Sequence, residues 1–105
     1  MNDSVISEAV VKVNRMNSEN PNTAALVLHT NAEVFAANVY TNGNVQYSSS
    51  VTLTEVSISG RWITGKRCKR DQSGGYELIS GKELFVNTDH VVAAVIADRT
   101  KRPAA

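Results

Sequence analysis

Cysteine is almost missing from this chain: Cys68 stands alone. A single thiol excludes an internal disulfide and supplies no metal site by itself, so a reduced thiol in a reducing compartment is expected. Charge of one sign is missing too. Eleven Lys and Arg stand against ten Asp and Glu, for a formal net charge of +1. Any attraction for a polyanion must therefore come from local clustering. No run approaches the roughly 20 apolar residues that span a bilayer. The start, Met1-Asn2-Asp3-Ser4, lacks the basic-then-apolar layout of a secretion signal. The expectation is a cytoplasmic protein with no membrane partner.

Catalytic patterns are scarce as well. The two histidines, His29 and His90, share no metal-ligand spacing with each other or with Cys68. Ser73-Gly74-Gly75 is followed by neither the lysine nor the helix of a phosphate-binding loop. Ser48-Ser49-Ser50 lacks the surroundings of a nucleophile elbow. A protein that is not an enzyme, with no cofactor and no metal, is the resulting expectation.

What is present is the composition of a small globular protein. The 105 residues are 42% hydrophobic and 20% charged, enough for one domain near the small end of independent folding. Residues 3–16 predict the only helix. Asp3 or Ser4 can cap it, and Val5, Ile6, Ala9, Val10, Val13 and Met16 recur at helical spacing. Ser7, Glu8, Lys12 and Arg15 take the polar side. Asn17 to Asn22 is a polar linker containing Pro21.

Strand patterns follow. Ala24 to His29, Glu33 to Tyr40 and Val51 to Ile58 predict three strands, with Asn42-Gly43 as a hairpin turn. Ser59-Gly60 opens a looser segment with a Ser73-Gly74-Gly75 turn, expected to be an extended hairpin leaving the sheet. Leu84 to Val86 and Val91 to Ile96 predict the last two strands around the polar turn Asn87-Thr88-Asp89-His90. Val91-Val92-Ala93-Ala94-Val95-Ile96 has no polar residue for a solvent face, so cover on both sides is expected. Residues 98–105 form a short basic tail. One helix (3–16) and about five strands within 23–97 make the fold mainly β, suggesting a small, strongly bent barrel.

This pattern resembles the Sm/LSm family, which includes bacterial Hfq, over roughly residues 4 to 97. The first motif is matched by Leu26 to Ala32, Glu33 to Val39 and Ser49 to Val56, and the second by Leu84 to Val92. Ala32 and Ala37 stand where the family favours glycine, and Asn87-Thr88 stands where it carries Arg-Gly. The resemblance implies a five-stranded SH3-like barrel, here with the extended hairpin between strands three and four. It also implies a homo-oligomeric ring in which the fourth strand of one subunit pairs with the fifth of the next. About five to seven copies would close it.

The resemblance further implies single-stranded RNA as partner, held at a central pore. Tyr47, Ser48, Ser49 and Ser50, together with Asn87, Thr88 and His90, are the pore candidates. Asparagine and serine can read base edges, and an aromatic ring can stack a splayed base. Asp89 in the same turn would repel phosphate. A second candidate is the basic segment: Arg61, Lys66, Arg67, Lys69 and Arg70, with Trp62 beside them, could grip a phosphate backbone. The alternative is a structural or adaptor ring, for example of viral or phage origin, which binds proteins and not RNA.

Overall fold

The computed structural model describes residues 3–31, 36–39, 45–72 and 74–98, with backbone alone at 3, 36–39, 45–48 and 80. A single helix, α1 (Asp3–Glu19), opens the chain. Ile6 and Val13 on its apolar stripe are fully buried and Val10 nearly so, with Ala9 and Met16 packed alongside. Val5, expected on that stripe, is half exposed, as is Val11. The helix runs a turn beyond the predicted Met16, and Asn17 explains where it stops. Its Oδ1 accepts the amides of Thr23 and Ala24 at 3.1 and 2.9 Å, and its Nδ2 donates to the Ala24 carbonyl at 2.9 Å. One side chain thus fastens the helix end to the first strand.

Seven strands follow among the described residues: β1 (Ala24–Thr30), β2 (Ala36–Val39), β3 (Val45–Ser48), β4 (Ser50–Ser59), β5 (Trp62–Arg70), β6 (Tyr76–Asn87) and β7 (Val91–Asp98). A 3-10 turn, Thr88–His90, joins the last two. The main sheet is antiparallel and open, in the order β6-β5-β4-β1-β7, while β2 and β3 pair only with each other. The protein is therefore mainly β with one N-terminal helix. No helix among the described residues is long and apolar enough to cross a membrane.

Two expectations change. The predicted strand Glu33 to Tyr40 does not enter the main sheet where it is described: Ala36–Val39 forms a ribbon with Val45–Ser48. Its remaining residues and the Asn42-Gly43 turn lie outside the described residues. The strand β1 pairs instead with β4 and β7. Second, residues 59–82 do form a hairpin, β5 turning into β6 between Arg70 and Tyr76, but it is built into the sheet because β5 also pairs with β4. They supply β5 and much of β6, with Ile63, Gly65 and Cys68 buried. Within the single chain Val92 and Val95 of β7 remain 61% and 50% exposed, so the chain itself supplies only part of the expected cover.

The sheet bends at a row of irregularities. In β4 the register slips between Thr54 and Ser57, where Glu55 takes φ +50°. Asn14 of α1 donates to the Val56 carbonyl there at 2.8 Å. Opposite lies Gly65, where a Cβ would meet Val56 Cγ1 at 3.0 Å and Leu53 Cβ at 3.1 Å. In β6, Glu83 pairs with Lys66 but Leu78 already pairs with Cys68, so residues 79–82 bulge outward. Such bulges strengthen local twist.

The curl can be gauged from the 3-10 turn. Edge strands of a flat five-stranded sheet lie about 19 Å apart. From Asn87 to Val91 the chain covers at most about 14 Å even when extended, and here it is coiled. The edges must approach one another at this end.

Burial on the two faces of β1 differs in kind. One face carries the main core: Ile6, Val10 and Val13 of α1 against Ala24, Leu26, Leu28, Val51, Leu53, Val56, Ile63, Val86 and Val91. The other carries a small cluster of Ala25, Cys68 and Tyr76, with Ala97 against it. Ala24, Ala25 and Leu26 are consecutive and all fully buried. Alternation sends neighbours to opposite faces, so β1 is covered on both sides at its start. The Tyr76 amide donates to the Asn22 carbonyl at 2.7 Å, which brings the start of β6 against the segment that precedes β1.

Candidate nucleic-acid interface

The 3-10 turn organises one pole of the molecule. Asn87 sits before it in an extended conformation and accepts the Asp89 amide on Oδ1 at 2.9 Å. The Thr88 amide donates to the Arg61 carbonyl at 2.7 Å, docking the turn on the β4–β5 connection. At the other end, the Asn31 amide donates to the His90 carbonyl at 2.9 Å, and His90 Nδ1 lies 3.1 Å from Asn31 Oδ1. Three residues thereby tie the β4–β5 turn to the end of β1. Arg61 meets Asp89 at 3.4 Å, but both side chains are largely exposed, so the ion pair adds little stability.

The predicted pore residues divide. Asn87 is half-buried and His90 exposed, whereas Thr88 is only 1% exposed and offers no side chain to a ligand. Ser49 and Ser50 are half-buried where β4 starts. The Ser49 carbonyl accepts both the amide and the hydroxyl of Thr30, at 2.9 and 2.8 Å. Those serines therefore lie beside Asn31 and, through it, beside the turn. The backbone of Tyr47 and Ser48 belongs to β3, while their side chains lie outside the described residues.

The basic segment divides further. Arg61 and Trp62 belong to the pole. Lys66 and Arg67 lie in β5 between β4 and β6, whereas Lys69 and Arg70, past the last β4 pair, are paired with β6 alone near the turn between the two strands. Lys66 Nζ lies 3.5 Å from Glu55 and Lys69 Nζ 3.6 Å from Glu77, each on a neighbouring strand. Arg67 is half-buried and engaged within the protein, and Arg70 is exposed. A single collar of five cations does not form, because a sheet strand deals its side chains to two faces and opposite charges flank two of them.

Two residues join the pole unannounced: Asn31 and Phe85. In the β5–β6 register Trp62 faces Asn87 and Thr64 faces Phe85, so Trp62 and Phe85 are diagonal neighbours on one face. Both rings look outward, 47% and 59% exposed. They separate two shallow grooves. One is lined by Ser59 and Thr64, the other by Thr30, Asn31, Asn87 and His90. Alternation along Glu83 to Asn87 could have placed Phe85 outside, with Leu84 and Val86 inward. Its pairing with the β5 start could not be read, because the bulge at 79–82 sets that register.

Away from the pole, burial pushes the Cys68 thiol up to about 11. That position favours a packed neutral side chain over a nucleophile. Comparison of the chain with protein-family models, with curated proteins and with solved structures gives no match in any of the three.

Proposed function

We propose that this chain is an Sm-like small β-barrel protein that closes into a ring of about five to seven copies and holds single-stranded RNA at the pole, without catalysis. One observation carries the reading. With the β2–β3 ribbon set aside, the sheet strands in chain order are β1, β4, β5, β6 and β7, so the fourth and fifth are β6 and β7. Those two are the edges of the sheet. They are the strands that the family resemblance pairs between neighbouring subunits. Unpaired edges are templates for another chain. Apolar side chains accompany both: Leu78 and Ile79 on β6, Val92 and Val95 on β7. Head-to-tail pairing of two different edges closes into a ring when the rotation permits.

RNA binding would draw on the same pole repeated by symmetry, with affinity from many weak contacts. The structural or adaptor ring remains the second reading, and specific features favour it. Thr88 is buried, and Lys66 and Lys69 already have carboxylate partners. Light scattering at micromolar concentration tests assembly: a mass about five to seven times the 11.4 kDa of one chain is expected, and a monomer defeats both readings. Fluorescence anisotropy with uridine-rich and adenine-rich oligonucleotides across a salt series separates them. Absence of binding at low salt leaves the structural ring.

A further inference from the structure

We infer that Trp62 and Phe85 form a two-ring platform on which neighbouring bases of a single-stranded nucleic acid stack, on the outer face of β5 and β6 beside the 3-10 turn. This rests on the RNA reading above and assigns its main contact to ring faces, not to the cations of β5.

Only 6% of the chain is aromatic and Trp62 is its sole tryptophan. Two rings from this small set stand outward as neighbours, while the main core closes without them. The surroundings indicate what fits. A protein partner with an aliphatic surface would call for apolar continuation around the rings. Here the frame is polar: the hydroxyls of Ser59 and Thr64 on one side, and Asn31, Asn87 and His90 on the other. Asn87 Oδ1 is taken by the Asp89 amide and Asn31 Oδ1 by His90. The Nδ2 groups of both asparagines have no partner among the described residues and can donate to base edges. Flat apolar faces with polar rims describe a nucleobase.

Charge points the same way. Asp89 is the carboxylate of this turn, and Arg61 lies against it at 3.4 Å. Lys66 and Lys69 are held by glutamates further along β5. Among the described residues beside the rings few cations are left to release counterions, so binding there follows stacking and depends weakly on salt. Edge pairing between copies would use the β6 backbone and leave the Phe85 ring on the sheet face.

Because Trp62 is the only tryptophan, its emission reports on the platform directly. The full chain is titrated with short oligoadenylate and oligouridylate, following anisotropy of the oligonucleotide and Trp62 fluorescence together. The expected result is quenching that saturates with the anisotropy, and tighter binding of the larger adenine rings. Phe85→Ala and Phe85→Leu both weaken binding about tenfold, and Lys66→Ala with Lys69→Ala changes it less than about twofold. Phe85 is exposed, so both variants should keep the wild-type melting temperature. Binding without any change in Trp62 emission overturns the platform while leaving RNA binding in place. So does wild-type affinity in Phe85→Leu, which would mark an apolar patch with no need for a ring. No anisotropy change at low salt overturns RNA binding and the platform together, and light scattering reports on the ring separately.

Discussion

The two faces of β1 are buried by different means. Toward α1, Leu26 and Leu28 meet large side chains from the helix and from β4, β5, β6 and β7, and space is filled by volume. On the other face Ala25 meets Ala97, Cys68 and Tyr76, and space is closed by letting backbones come near. Gly75 shows how near: a Cβ there would sit 2.6 Å from the Asn22 carbonyl oxygen. The lesson is that one strand can depend on bulk on one side and on smallness on the other. Opposite changes in size should then be damaging on opposite faces.

Deleting bulk should have the largest effect. Leu26→Ala is expected to cost about 2–5 kcal/mol in denaturant unfolding, through lost transfer energy and a residual cavity. Adding bulk on the other face comes next: Ala25→Leu should cost about 1–3 kcal/mol by overpacking. A neutral outcome for Ala25→Leu would mean that the second face is open, and the contrast would dissolve. A smaller loss, about 1 kcal/mol, is expected for Asn14→Ala, which removes the helix donor to the Val56 carbonyl at the bulge.

Titration gives the finest test. The Cys68 thiol moves from its ordinary 9.0 up to about 11 because burial disfavours the thiolate. Its contribution to stability is complete below pH 9.0, where both states hold the proton. It is lost as pH rises toward about 11, because the unfolded chain then releases the proton first. The melting temperature of the wild type should therefore fall more steeply across that window than that of Cys68→Ala. Parallel curves would show that the second cluster does not shield the thiol.

The helix-side core was the legible half. Ile6, Val10 and Val13 declare themselves by helical spacing, and Leu26, Leu28, Val51 and Leu53 by alternation within short strands. The second face was hidden, because alanine, cysteine and tyrosine at 25, 68, 76 and 97 carry no pattern until the sheet curls. The stretch 59–82 misled for a related reason. Ile63 and Gly65 mark the face toward the main core and Cys68 the opposite one, but the extra residues of β6 across from Arg67 hide which strand they pair with. Glycines and cations then suggested a hairpin that leaves the sheet. At the pole the turn Asn87 to His90 was readable from its residue types, but the rings that flank it were not. Trp62 and Phe85 become neighbours only through long-range register.

The pairing of β1 with β7 has a consequence for how the chain is made. Leu26 lies between Leu53 on one side and Ile96 on the other. Of these strands the earliest made, β1, must therefore wait for the latest, β7. Until β7 emerges, β1 is an edge of the sheet, and the chain carries an unpaired template past every neighbouring nascent copy. Contacts so distant in sequence slow folding. They also allow β7 of one molecule to complete β1 of another, an exchange between copies that would build assemblies through the strand order itself.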